Sequence, residues 1–583
     1  MSERSTTGRG HAVVLGESDP QQEGDSAAVL RIRNLQVDYR TRARSVHAVR
    51  DASIDVYPSQ AMAIVGESGS GKSTIVHAIL GILPDSTRID GVLEVGGRDM
   101  IRSSERERRE IRRSDIGFIP QDPQSSLDPT MRIGAQLGQI IALKEGLEGR
   151  QSIHARVLEL LHEAGFDDPE LRSRQYPHEL SGGLKQRALI AAAMAGSPKI
   201  IVADEPTSAL DVTVQKVILD RIEELVRRRG IALLMVTHDL AVAADRVQRI
   251  VVMHHGQVVD QGDTAAILQH STKAYTRELV DSAPAFEFDG ADRREEERGG
   301  RVSAEEKRPS DGRPSHTADH DSNAVVWNDV TKTFGSYTAS RHATGVLTAL
   351  SKVSIAAPAG ETLAIVGESG SGKSTLLRIA LGLIRPSSGT ASVNGIDVVS
   401  SKRKELRLAR RGFQLVQQNP YQSLDGRLTI RDVIAEPLKA FHVGNRSSRD
   451  RRVRELLDRV ALPQSLLGAR ASELSGGQCQ RVAIARALAI RPTTVFLDEP
   501  VSALDVSVQA QVIDLLIELQ RDLSLSYVFV SHDLAVVALI AHNVAVLQHG
   551  EVVESGETGQ VIYNPAHPYT QRLIDSIPGR RVH

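Results

Sequence analysis

The sequence repeats itself. GESGSGKST at Gly66–Thr74 returns at Gly367–Thr375, and LSGG at Leu180–Gly183 returns at Leu474–Gly477. DEP followed by SALDV starts at Asp204 and again at Asp498, and THDL from Thr237 is answered by SHDL from Ser531. The lysines of the first motif are 301 residues apart. From there the offset settles at 294, for the LSGG serines, the glutamates 205 and 499, the histidines 238 and 532, and Tyr275 and Tyr569. An offset held without a net gap from residue 181 to 275 means two copies of one domain. At roughly 150 residues per unit, 583 residues suggest about four units, which the repeat groups into two copies with subdomains.

The copies are expected at residues 29–284 and 324–583. Residues 1–28 are polar and Gly- and Ser-containing, without a basic-then-apolar leader, and are expected as a disordered tail. Residues 285–323 are charged and rich in Gly, Pro, Ser and Asp. Such a segment buries too little apolar surface to offset chain entropy and is expected as a flexible linker, the alternative being a charged helix that reaches a partner.

Within each copy short apolar runs alternate with helical patterns. MAIV (62–65), KIIVAD (199–204) and IALLMVT (231–237) are matched by LAIV (363–366), TVFLD (494–498) and SYVFVS (526–531). Continuous aliphatic strands separated by helices predict an α/β fold, a parallel sheet covered on both faces.

Gly66–Ser73 and Gly367–Ser374 both fit G-x-x-x-x-G-K-S/T, each after an apolar strand and before a helical run. Backbone N–H groups from Gly66, Ser68, Gly69, Ser70, Gly71 and Thr74, and from Gly367, Ser369, Gly370, Ser371, Gly372 and Thr375, would cradle phosphates. Lys72 and Lys373 would meet the β/γ-phosphates, and Ser73 and Ser374 would ligate Mg²⁺. Asp204 and Asp498 end strands at the sheet's carboxyl edge, where they can hold the Mg²⁺ shell, and Glu205 and Glu499 can polarise water. Taken alone, adjacent acids at a strand end serve equally as a helix cap. Ser181-Gly182-Gly183 and Ser475-Gly476-Gly477 read as an anion-binding helix start or a plain N-cap, and each lies 24 residues before its glutamate.

Together these residues resemble ATP-binding cassette (ABC) nucleotide-binding domains. The resemblance covers about 500 of the 583 residues and includes a glutamine-loop segment, GFIPQDPQSSLDP and QLVQQNPYQSLDG. It is closest to ATPases of peptide and nickel importers, through VGESGSGKST, ALDV-x-VQ and the late AYTREL and HPYTQRL segments. It implies two tandem P-loop NTPase domains, each a RecA-like parallel core with an antiparallel β subdomain and a helical subdomain. It also implies head-to-tail pairing, with each ATP between one copy's phosphate loop and the other's LSGG. One site would then join Gly66–Ser73, Gln121, Asp204, Glu205 and His238 to Ser475–Gln478. The other would join Gly367–Ser374, Gln418, Asp498, Glu499 and His532 to Ser181–Gly183. In this picture Glu205 and Glu499 are general bases, and His238 and His532 contact the γ-phosphate. Gln121 and Gln418 sense Mg²⁺, and Asp211 and Asp505 communicate across the interface. Tyr39 and Phe334 stand where adenine stacks, or serve as strand-core aromatics. Leu184 departs from the glutamine that Gln478 keeps. The implied cofactors are ATP and Mg²⁺. The implied partners are two integral membrane permease subunits and an extracytoplasmic solute-binding protein, placing the chain peripherally on the cytoplasmic face of a bacterial inner membrane.

Composition narrows the alternatives. With 71 Lys+Arg against 73 Asp+Glu there is no global drive toward nucleic acid, and 3% aromatics offer no stacking platform for single strands. A ribosome-acting twin cassette would need a basic face, and a DNA-repair ATPase zinc modules or long coiled coils. The single cysteine, Cys479, rules out an intramolecular disulfide and a cysteine cluster. Residues 102–114 read as a solvated helix face rather than a basic patch. His254 and His255, as strand neighbours, should point to opposite faces.

Overall fold

The computed structural model describes residues 27–40, 45–208, 210–282, 323–337, 344–502 and 504–579. The expected tail lies outside the described residues apart from 27 and 28. The expected linker lies outside them apart from Asn323, which opens a strand.

The first half contributes β1 (Leu30–Arg40), β2 (Ser45–Val56), β3 (Ala61–Val65), β4 (Thr87–Val95), β5 (Arg98–Asp99), β6 (Ile116–Ile119), β7 (Ile200–Asp204), β8 (Ala232–Thr237), β9 (Arg249–His254) and β10 (Gln257–Asp263). The second repeats them as β11 (Asn323–Tyr337), β12 (Thr344–Pro358), β13 (Thr362–Val366), β14 (Ser388–Val393), β15 (Ile396–Asp397), β16 (Phe413–Val416), β17 (Thr494–Asp498), β18 (Ser526–Ser531), β19 (Asn543–Gln548) and β20 (Glu551–Glu557).

The core sheets run β6-β7-β8-β3-β9-β10 and β16-β17-β18-β13-β19-β20. All neighbours pair in parallel except the last strand of each, which folds back antiparallel. Antiparallel layers β5-β4-β1-β2 and β15-β14-β11-β12 flank them. In the first half one parallel bridge, Gln257 to Asp51, fuses layer and core. The backbone bond beside it, Arg50 N to Gly256 O at 2.8 Å, recurs in the second half as Ser351 N to Gly550 O at 2.8 Å.

The central strand shows why the aliphatic runs fold this way. Side chains alternate across a strand, so Ala61, Ala63 and Val65 of β3 enter one apolar cluster and Met62 and Ile64 the other. In β13, Ala364 and Val366 face one cluster and Leu363 and Ile365 the other. Helices close both faces, as expected for a parallel sheet. A helical subdomain, Ile133–Glu145, Arg150–Glu163 and Pro169–Ser173, buries Leu137, Ile141, Leu160 and Leu161 against the helix Gly182–Met194. Its counterpart is Ile430–Ala440 and Arg446–Arg459 against Gly476–Leu488.

The charged run near residue 108 forms the helix Glu105–Ser114, capped reciprocally by Ser104 and Glu107 and burying only Ile111. This is the expected solvated face. The two histidines depart from expectation. β9 ends at His254, and His255 takes a left-handed turn conformation (φ 48°), so the rings meet at 3.9 Å rather than pointing apart. His254 also packs on the Tyr275 ring at 3.9 Å.

Candidate active site

Strand order assembles the motifs. Gln121 follows β6, Asp204 ends β7 with Glu205 next, His238 follows β8, and the phosphate loop follows β3. Because β6, β7, β8 and β3 are consecutive neighbours, all four groups emerge side by side at one carboxyl edge, where α/β proteins bind ligands. The second half repeats this with Gln418, Asp498 and Glu499, His532 and Gly367–Thr375 on β16, β17, β18 and β13.

Glu205 is the hub. Its carboxylate accepts from Gln121 Nε2 at 2.7 Å and stands 2.9 Å from His238 Nδ1. In the second half Gln418 Nε2 donates to Glu499 at 2.7 Å, and His532 Nδ1 is 3.3 Å from the same carboxylate. Both glutamates hold a left-handed backbone (φ 44° and 46°), which costs a side-chain-bearing residue roughly 1–2 kcal/mol. Neighbouring strands hold them there, through Glu205 N to Val236 O at 2.8 Å and Glu499 N to Val530 O at 3.0 Å. Burial alone would raise the Glu205 carboxyl, but His238, Lys72 and Gln121 outweigh it and keep it below the usual carboxylate range. Burial works against a charged His238 ring, and Glu205 overrides it, raising the imidazole. Glu499 and His532 shift in the same senses.

Asp204 is 7% exposed, and burial plus the adjacent Glu205 charge push it up to about 6, against the pull of Lys72. Asp498 moves the same way. Lys72 is buried and its ammonium lowered by desolvation, with acids led by Asp505 of the other half opposing. Its Nζ donates to the carbonyls of Gly66 (2.6 Å) and Glu67 (2.8 Å), as Lys373 does to Gly367 and Glu368. Gly66 is obligatory: at φ 149° a Cβ would sit 2.2 Å from Met253 O. Gly71 and Gly372 precede the helices that begin at Lys72 and Lys373, which carry Ser73 and Thr74, and Ser374 and Thr375, in their first turns.

The donor set fits a magnesium nucleotide. The hydroxyls of Ser70 and Ser371 are buried without a partner, at the heart of each loop. Beside them stand one serine hydroxyl, one strand-end aspartate and one glutamine amide per site. Among the described residues no group of three or more His, Cys, Asp or Glu forms an all-protein metal cage. Such a sparse set suits Mg²⁺, which keeps waters and takes phosphate oxygens.

The remaining expected residues divide. Tyr39 is half-buried at the end of β1 with its hydroxyl 3.5 Å from Thr74 Oγ1. Phe334 is 38% exposed under Lys332 Nζ, 4.9 Å from the ring centre, so it is no core aromatic. Asp211 accepts from the backbone N–H of Ser369 in the other half at 3.3 Å. One cleft between the halves is lined by Ser68, Gln121 and Glu205 together with Ser369, Lys373 and Glu499. Ser181 and Ser475 are outside that lining. Each caps its own helix, accepting from Leu184 N (3.4 Å) and Gln478 N (3.3 Å). Gly183 and Gly477 let those helices meet Val214 and Val508, where a Cβ would come within 2.5 and 2.3 Å.

Sequence reading missed Glu67 and Glu368, which the motif leaves as free positions. Ser507 Oγ donates to Glu67 at 2.5 Å and Thr213 Oγ1 lies 2.8 Å from Glu368, both across the halves. The C-terminal residues of the second half also cross over: Lys216 Nζ donates to Asp575 O at 2.9 Å, and Gly579 N to Asp245 at 2.8 Å.

Comparison with known proteins shows the family. The profile described as "ABC transporter" matches residues 49–208 and 350–502, and "Oligopeptide/dipeptide transporter, C-terminal region" matches 553–583. The chain is similar to the oligopeptide transport ATP-binding protein OppD of Mycobacterium tuberculosis, 38% identical over 94% of this chain and 98% of that protein. It is also similar to the peptidoglycan transport ATP-binding protein YejF of Agrobacterium fabrum, 38% identical over 95% and 97%. The glutathione import ATP-binding protein GsiA of Escherichia coli O6:H1 is 36% identical over 95% and 90%.

Proposed function

We propose, from the premise that this chain belongs to the ABC transporter family, that it is the ATP-hydrolysing subunit of an importer for peptides or a similar small solute. The observation that carries the reading is the hydrogen-bonded Gln–Glu–His set beside a phosphate-loop lysine, built twice at the same sheet edge.

In each site the phosphate loop binds the ATP phosphates through its N–H groups and lysine. The ionised Glu205 or Glu499 takes a proton from water as that water attacks the γ-phosphorus and ADP leaves. His238 or His532 orients the glutamate and meets the γ-phosphate. Ser73, Gln121 and Asp204, and Ser374, Gln418 and Asp498, would hold Mg²⁺, which neutralises phosphate charge when bound. Asp211 at Ser369 supports head-to-tail pairing, with Ser475–Gln478 and Ser181–Gly183 completing the opposite sites on closure and Tyr39 and Phe334 taking adenine. ATP favours closure through higher affinity for the closed form. No helix among the described residues is long and apolar enough to cross a membrane. In this reading, which the likeness to importer ATP-binding proteins supports, the channel belongs to two separate permease subunits, served by an extracytoplasmic solute-binding protein, with this chain on the cytoplasmic face of the inner membrane.

The test is copurification of the full chain from its membrane, followed by ATPase assay of the complex against candidate solutes. Integral membrane proteins and peptide-stimulated turnover are expected. Recovery with ribosomes, or turnover indifferent to every peptide and to glutathione, would overturn the reading.

A further inference from the structure

Each phosphate loop contains one residue whose three polar groups go to three different bodies. The N–H of Glu368 donates to the Tyr569 hydroxyl at 3.0 Å, from the C-terminal helix Pro568–Ile574 of its own half. Its carbonyl accepts from Lys373 Nζ at 2.8 Å, and its carboxylate lies 2.8 Å from Thr213 Oγ1 of the other half, whose one hydroxyl proton it shares with Asp211 Oδ1, also at 2.8 Å. Glu67 repeats the arrangement with Tyr275 (3.4 Å), Lys72 (2.8 Å) and Ser507 of the other half (2.5 Å). The tyrosines lie 208 and 201 residues beyond the glutamates they hold. Two long-range contacts thus converge twice on a position that a phosphate loop leaves chemically free.

Loop N–H groups ordinarily face phosphate. Here the N–H of the second loop residue is taken by a tyrosine, which pins the strand-to-loop corner and fixes where the lysine's carbonyl acceptors stand. The carboxylate sits on the outer side of the same corner. Its hydroxyl donor is the second residue of the helix Val506–Leu523 or Val212–Arg229, two positions after Asp505 or Asp211. Separating the halves removes that donor.

We infer that Glu67 and Glu368 are positioning residues for the ATP sites, each suspending its phosphate loop between its own C-terminal tyrosine and a hydroxyl of the opposite half. This rests on the ATPase reading above. They touch no substrate and act through the lysine and the loop, so their effect is on nucleotide affinity in the closed arrangement rather than on the chemical step.

The test is a double-mutant cycle on the full chain, reading kcat and KM for Mg-ATP, with thermal unfolding as the control for folding. Glu67→Leu and Ser507→Ala should each raise KM about tenfold with kcat within about threefold. The double variant should be no worse than the poorer single, because contacting residues are non-additive. Glu67→Gln, which keeps an oxygen acceptor, should stay within about threefold of the parent, and Tyr569→Phe should raise KM with kcat unchanged. Losses that multiply in the double variant, a Gln variant as poor as the Leu variant, or a fall in kcat at constant KM would each overturn the inference. An unmodified chain that turns over no ATP would instead sink the ATPase reading itself.

Discussion

At matching places the two halves keep the same chemistry on different supports. In the second half Gln478 returns a bond to Ser475 N at 3.0 Å, completing a reciprocal cap, whereas Leu184 in the first half turns that position into apolar packing. Asp211 caps its helix through Val214 N (3.1 Å) and reaches Ser369, while Asp505 makes no capping bond. The carbonyl of Ile116, at the start of β6, accepts from the half-buried Lys144 at 2.9 Å. Its counterpart Phe413 is served by Gln414 at 2.8 Å, and apolar Phe441 packs on the core where the lysine would be. Gln–Glu–His geometry survives all of this, because strand order rather than the surrounding packing sets it.

If both halves are chemically equal, the largest effect belongs to the glutamates. Glu205→Gln and Glu499→Gln should each slow hydrolysis at their own site by about 10²–10⁴-fold while nucleotide still binds there. A single-turnover assay reads this, and full activity in either variant would break the equality.

The lysine separates the halves by pH. Desolvation lowers Lys144 to about 8, below its unfolded value, so the unfolded chain binds more protons between about pH 8 and 10.5. Stability of the first half should therefore rise with pH across that window, by up to about 3 kcal/mol. Denaturant titrations of Lys144→Met beside the parent should show that rise lost, and an unchanged pH slope would refute it.

Smaller differences follow. Asp211→Ala removes a helix cap and should lower stability by about 1 kcal/mol, with Asp505→Ala well below that, measurable as unequal shifts in melting temperature. Gln478→Leu, which copies the first half, should cost about 0.5 kcal/mol, and a larger loss would mean that the glutamine does more than cap its helix.

Much of this was legible in the sequence because it depends on short-range pattern. Unbroken aliphatic runs such as KIIVAD predicted buried parallel strands, and motif spacing put Lys72, Asp204, Glu205 and His238 at strand ends. What escaped depends on contacts no local pattern encodes. Glu67 sits at a free motif position and gains meaning only through Tyr275 and Ser507, which are 208 and 440 residues away. The left-handed backbone of Glu205 comes from its bond to β8. His255 was misread because a strand-length run hid the turn after His254. The repeat of Tyr275 and Tyr569 was a usable signal: a tyrosine preserved at the 294 offset beyond the last strand asks for a partner.

The cross-half bonds all belong to one polypeptide, and that fixes the kinetic order of closure. When the partners of Glu67 and Glu368 are tethered to the same chain, their meeting is unimolecular, at an effective concentration set by the segment between the halves. Turnover per molecule should therefore stay constant on dilution, whereas in a cassette that must find a separate partner it falls in proportion to concentration once that is well below the Kd of pairing.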